Sequence, residues 1–246
     1  MIEVMPNTNT ALEISSLAKS YGARPVFRHV DLCLNAGAAF ALLGVNGAGK
    51  TTLLKCVLDF CSADNGSIRL FGTDHRNPQA RTRLAYVPER FMPPHYLTGE
   101  EFLRFELEMF GQVFDRENAL SMLQELQLEQ DALDKPVRHL SKGMTQKIGL
   151  AACFLARRDM CILDEPMSGL DPASRVAVKG VLARLRDEGR TLFFTSHVLA
   201  DVEELCSSMA ILHDGGIKFH GPPDVLCRQY SETLLERAFM RCIRGQ

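Results

Sequence analysis

Gly44-Val45-Asn46-Gly47-Ala48-Gly49-Lys50-Thr51 is the stretch that decides the fold. It follows an apolar run, Ala38–Val45, of buried-strand length, and precedes a segment, Lys50–Phe60, with helical character. The pattern is GxxxxGK[ST], with Thr52 behind it. Glycines let backbone N–H groups curl around phosphate oxygens without Cβ clashes. The helix opening near Gly49 aims its positive end at the same anion. Lys50 adds a cation for the β- and γ-phosphates, and the Thr51 hydroxyl suits Mg²⁺. Gly44, Asn46, Gly47, Ala48, Gly49, Lys50, Thr51 and Thr52 are therefore candidate nucleotide-binding residues.

Outward from this loop, short strands alternate with helices. Leu12–Leu17 and Val26–Leu34 read as strands around a turn at Tyr21-Gly22. Ser67–Phe71, Leu84–Val87, Met160–Leu163 and Thr191–Ser196 follow as strands. Helices are expected over Pro172–Glu188 and Val198–Cys206, a hairpin around Asp214-Gly215-Gly216, and two short helices at the end. Residues 98–158 show helical spacing almost throughout, as at Phe102, Phe105 and Met109. Such an alternation predicts an α/β domain with a mostly parallel sheet, into which residues 88–158 are inserted. Residues 1–10 read as a flexible tail, and 226–246 as a short helical tail packing Leu234, Leu235, Ala238 and Phe239 on the core.

Composition narrows the function classes. The 246 residues carry 28 Lys+Arg against 30 Asp+Glu, a formal charge of −2. A sequence-independent nucleic-acid binder would show a basic excess, so no nucleic acid is expected as a partner. No run of about 18 apolar residues spans a bilayer, and the first ten residues lack the pattern of a secretory signal. The eight cysteines form no CxxC pair and read as reduced thiols. These features together predict a soluble, cytosolic chain.

A second group of residues adds chemistry. Met160–Leu163 runs into Asp164-Glu165-Pro166. Carboxylates at the C-terminal end of a buried strand sit where open α/β sheets bind ligands. Asp164 suits a Mg²⁺-holding acid, and Glu165 a group that polarises an attacking water.

The remaining motifs match a family. Leu140-Ser141-Lys142-Gly143-Met144 resembles the LSGGQ signature of ATP-binding-cassette (ABC) ATPases, with Ser141 lying 23 residues before Asp164. Ser168-Gly169-Leu170-Asp171-Pro172 looks like that family's D-loop, His197 like its switch histidine, and Tyr21 like its adenine-stacking aromatic. The likeness covers roughly residues 11–225 and is greatest to single-cassette subunits of ABC-2-type exporters. It implies a P-loop NTPase fold, with an N-terminal antiparallel β subdomain and an inserted helical subdomain over about 88–158.

It also implies roles. Glu165 and His197 would be catalytic. Ser141 and Gly143 would grip the γ-phosphate held by a second cassette, with Met144 beside them in that nucleotide site, Asp171 would link the two sites, and Thr51, Asp164 and Glu89 would serve Mg²⁺. Ser141 and Asp171 also read as plain helix caps, and Tyr21 as a turn tyrosine. Cofactors would be ATP and Mg²⁺. Partners would be a second cassette, as a head-to-tail homodimer, and an integral membrane permease whose cytoplasmic face the chain would occupy. The apolar patch Phe91, Met92, Pro93 and Tyr96 is a candidate contact for that permease. The other reading of such an ATPase, action on a nucleic-acid or ribosomal partner, lacks the expected insertion, second cassette and charge. Three positions depart from the pattern. Glu89 stands where the family has a glutamine, Lys142 replaces a glycine, and Met144 replaces a glutamine.

Overall fold

A computed structural model describes residues 9–245. Most of the expected tail at 1–10 lies outside them; Asn9 already accepts a hydrogen bond from the Ala36 N–H, and Thr10 opens the first strand.

In chain order the elements are β1 (Thr10–Tyr21), β2 (Arg24–Asn35), β3 (Ala39–Leu43), α1 (Lys50–Val57), β4 (Asn65–Leu70), β5 (Thr73–Asp74), α2 (Pro78–Arg81) and β6 (Leu84–Val87). Then come α3 (Gly99–Met109), α4 (Arg116–Glu125), two 3₁₀ turns (Gln130–Leu133 and Val137–His139), α5 (Lys142–Leu155), β7 (Met160–Leu163) and α6 (Pro172–Asp187). The chain continues through β8 (Thr191–Ser196), α7 (Leu199–Leu205), β9 (Ser208–His213), β10 (Gly216–Gly221), α8 (Pro223–Gln229) and α9 (Leu235–Arg244).

All ten strands form one sheet in the order β5-β4-β1-β2-β10-β9-β3-β8-β7-β6. The block from β9 to β6 is parallel throughout. The β1, β2, β4 and β5 strands pair antiparallel. A single parallel pair, Gly216 with His29, joins the two parts. Both faces of the parallel block are buried, which is why its strands are largely apolar. Alternation sorts their side chains. Ala41, Leu43, Leu163 and Phe194 meet the helices α3 to α9 on one face. Phe40, Leu42, Ile162 and Phe193 meet α1 and the antiparallel strands on the other. Phe40 and Phe193 pack edge-to-face, their ring centres 5.6 Å apart.

Several elements differ from the sequence reading. β1 and β2 extend to Tyr21 and Arg24, because the hairpin pairs Tyr21 with Arg24 across Gly22, which takes φ 59°. The helical stretch is broken at 110–115 and 126–141. Within α3, Phe102 is buried, but Phe105 and Met109 face outward. At the C-terminus Leu235 and Ala238 are buried as expected, while Leu234 precedes α9 and stays exposed. The Asp214-Gly215 turn has φ of 47° and 72°, the two positive values a type I′ hairpin requires. No helix among the described residues is long and apolar enough to cross a membrane.

Candidate nucleotide-binding site

The loop of residues 44–49 leaves the sheet at the end of β3 and turns into α1. Gly44 is needed for close approach, since a Cβ there would lie 2.5 Å from the Leu212 carbonyl oxygen. Gly49 is the N-cap of α1 at φ 104°, and a Cβ on it would meet Val26 at 2.7 Å. The Lys50 ammonium, buried, donates to the Gly44 carbonyl at 2.7 Å and closes the loop on itself. No acid sits in the first turn of α1, so nothing competes with an anion for its N–H groups.

Parallel register brings the second half of the site alongside. Leu163 pairs with Phe194, which places the next residues, Asp164 and Thr195, side by side. The Thr195 hydroxyl donates to Asp164 Oδ1 at 2.6 Å and accepts from the Glu165 N–H at 2.8 Å. Asp164 Oδ2 accepts from the Thr51 hydroxyl at 2.9 Å. Glu165 takes φ 49°, and its carboxylate faces two nitrogens. Lys50 Nζ is 3.7 Å from Oε1, and His197 Nδ1 is 2.8 Å from Oε2. Tyr86, on the neighbouring strand β6, feels Asp164; burial first, then the Asp164 carboxylate, pushes its phenol up to about 12.

These groups open onto a cleft of about 830 Å³. Tyr21, Asn46, Gly47, Ala48, Gly49, Lys50, Thr51, Thr52, Glu89, Asp164, Glu165 and His197 all line it. Gly44 sits behind it, its carbonyl held by Lys50. Tyr21 stands half-exposed on the rim. The hairpin residues Arg24, Pro25 and Val26, and Ser168, line it too. Sequence reasoning met Ser168 only as the start of the D-loop motif, and passed over Arg24, Pro25, Val26 and Thr195, the last with no signal but a hydroxyl inside an apolar strand.

Besides Gly44, four expected site residues lie outside the cleft: Ser141, Gly143, Met144 and Asp171. Ser141 caps α5, its Oγ accepting from the Met144 N–H at 3.2 Å. Gly143 lies close to Leu170, and the Lys142 stem lies over Gly169, so the turn 141–144 packs on the segment 168–171. Asp171 caps α6, accepting from the Ser174 N–H at 2.9 Å and the Ser174 hydroxyl at 2.6 Å. Those two bonds hold its carboxyl below the usual range.

Among the described residues no cluster of three or more His, Cys, Asp or Glu could hold a metal. Mg²⁺ with a nucleotide needs no such cage, because it takes one or two carboxylates, waters and phosphate oxygens. The hydroxyl of Thr51 and the carboxylate of Asp164, both hard oxygens at the mouth of the phosphate loop, fit that demand.

Comparisons with known proteins give the family. The family model described as "ABC transporter" matches residues 27–168. An uncharacterized ABC transporter ATP-binding protein of Synechocystis sp. (strain ATCC 27184 / PCC 6803 / Kazusa) is 39% identical over 78% of this chain and 55% of its own length. A Nod factor export ATP-binding protein I of Cupriavidus pinatubonensis is 34% identical over 87% of this chain and 66% of its own. The chain thus spans between about half and two thirds of these curated relatives. A solved structure titled as the ATP binding subunit of an ABC transporter superposes with TM-score 0.87 at 32% identity, covering 95% of this chain and 99% of that one. On the strength of a family model over more than half its residues and a solved counterpart along nearly all of them, the chain belongs to the ABC transporter family of ATP-binding proteins.

Proposed function

We propose that the chain binds and hydrolyses ATP, pairing head-to-tail with a second copy, to drive export through a separate membrane permease of ABC-2 type. One observation carries the reading. Twelve of the candidate residues line one cleft, while Ser141, Gly143 and Met144 form a helix N-terminus outside it. A site split in this way is completed by a second copy, whose α5 start would approach the phosphates across a symmetric interface.

In this reading Lys50 exchanges the Gly44 carbonyl for phosphate oxygens, and the N–H groups of residues 47–51 hold the rest. Bound Mg²⁺ would supply charge neutralisation between the phosphates, with Thr51 and Asp164 holding it and Glu89 facing it. Glu165 polarises the attacking water, and His197, already bonded to Glu165, orients it toward the γ-phosphate. Thr195 fixes both carboxylate-bearing residues in place. Tyr21 offers an aromatic face to adenine. Asp171 links the two sites in this reading.

Glu89 also lines a groove with Phe91, Met92, Pro93, His95, Leu140 and Lys142. Phe91 itself packs inward on Phe102, whereas Met92 and Tyr96 are exposed. This groove is the proposed permease contact, with Glu89 between it and the nucleotide. Export is favoured by the Nod factor relative named above. The direct test is Glu165→Gln with ATP and Mg²⁺. We expect a stable dimer by light scattering and hydrolysis slowed by about a hundredfold or more, the range typical of lost general-base help. A variant that stays monomeric and turns over ATP normally would overturn the proposal.

A further inference from the structure

The sulfurs of Cys56 and Cys61 lie 3.6 Å apart, beside the nucleotide cleft but outside every role assigned above. The end of α1 builds this pair. Past Val57 the chain hooks back. The N–H groups of Phe60 and Cys61 both donate to the Lys55 carbonyl, at 2.8 and 3.3 Å, and Asp59 takes φ 61° to allow it. Cys56 is buried in the helix, and Cys61 is only half-buried. On its other side the Cys61 sulfur stands 3.9 Å from the Tyr21 hydroxyl. One sulfur therefore lies between the helix that follows the phosphate loop and the hydroxyl of the tyrosine on the cleft's rim.

We propose that Cys56 and Cys61 form a reversible disulfide on exposure to hydroperoxides, and that this bond weakens nucleotide binding in the adjoining cleft. Cys61 is the accessible thiol and reacts first. As its thiolate, having given its proton to solvent, it attacks the peroxide. An S–O bond forms, the O–O bond breaks, and the departing hydroxide takes up a proton as water. The Cys56 sulfur then attacks the Cys61 sulfur. The S–S bond forms, the S–O bond breaks, and the hydroxide leaves as water with the Cys56 proton. In sum two thiols lose two electrons and two protons, and one hydrogen peroxide becomes two waters. Burial, then contact with Cys61, pushes the Cys56 thiol up to about 12, so it keeps its proton until this second step.

The consequence for the cleft is geometric. A disulfide needs its sulfurs about 2.05 Å apart. Closing the gap draws Cys61 toward the buried helix and away from the Tyr21 hydroxyl. Tyr21 loses its contact, and the end of α1 is tethered. Dithiothreitol reverses the bond by exchange. The effect on binding rests on the ATP reading proposed above; the disulfide does not.

Trypsin cuts after Lys55 and Arg69, so one peptide, residues 56–69, carries both cysteines. The purified full-length chain is treated with hydrogen peroxide, alkylated, and digested without reduction. The peptide is expected lighter by two hydrogens and free of alkyl groups, and doubly alkylated again after dithiothreitol. A doubly alkylated peptide after peroxide overturns the proposal, as does an over-oxidised Cys61 beside a free Cys56. In parallel, a fluorescent ATP analogue is titrated. Oxidised protein is expected to bind it several-fold more weakly, with recovery on reduction and no peroxide response in Cys61→Ser. Cys56→Ala is a second control, the half-buried Cys61→Ser being the safer one for folding. Equal affinities of oxidised and reduced protein overturn the effect on binding. Reduced protein that binds no nucleotide at all defeats the ATP reading, and the disulfide is then judged on the peptide mass alone.

Discussion

Thr195 is the smallest group on which the site depends. It is fully buried, and its one hydroxyl serves Asp164 and the Glu165 N–H together. Thr195→Val keeps the shape and removes both bonds. The stranded carboxylate oxygen and N–H should cost about 1–3 kcal/mol, read as a lower midpoint of thermal unfolding. Nucleotide turnover should fall as well, and Thr195→Ser should recover most of both. An unchanged midpoint in the valine variant would show the hydroxyl to be dispensable. Sequence alone exposes the contiguous part of the site, residues 44–52, because loop, cation and hydroxyl are neighbours in the chain. The Asp164–Thr195 bond joins residues 31 apart. It exists only because β7 and β8 run parallel in one register, which no local pattern encodes.

At the scale of elements, α5 shows how closely a loop can rest on a helix. Gly149 faces Phe91, and a Cβ there would lie 2.8 Å from the ring. Gly149→Ala should displace Phe91 from its place against Phe102 and cost about 1–3 kcal/mol, as overpacking does. Chemical denaturation would measure it; a loss below about 0.5 kcal/mol would mean the ring yields freely. The α6 cap offers a titration. Asp171 is held below its ordinary value chiefly by the Ser174 hydroxyl and N–H. Its contribution to stability is therefore complete above the unfolded carboxylate pKa of about 3.9 and is lost as pH falls through the lower folded value. In Ser174→Ala the Asp171 carboxyl should titrate at higher pH by carbon NMR. An unmoved titration would assign the depression elsewhere. Strands β6, β7 and β8 match their expected bounds residue for residue, since burial on both faces keeps each run apolar apart from Tyr86 and the hydroxyls of Thr191, Thr195 and Ser196. β5 and α2 escape notice because two and four residues carry no period. Phe105 and Met109 share the spacing of Phe102, yet only Phe102 is buried. Periodicity marks a helix face and cannot say what covers it.

On the scale of the molecule, the exposed side chains Met92 and Tyr96 lie beside the groove that Glu89 shares with the cleft. If this face docks a permease, charge placed there should disrupt docking and spare folding. The double variant Met92→Glu, Tyr96→Glu should unfold within about 0.5 kcal/mol of the parent, as surface changes do. It should also lose sedimentation with the membrane fraction of its own cells. Retained sedimentation would move the contact elsewhere.

The backbone of Glu165 has a further consequence. At φ 49° it holds a long-chain residue where asparagine or glycine rests more easily. The fold has an easier occupant for this position, and that occupant lacks the carboxylate. A laboratory selection that rewarded heat resistance alone would find relief here and discard the group that faces Lys50 and His197. Comfort of the chain and chemistry of the cleft are set against each other at one residue, so a library screened for durability must also be screened for turnover.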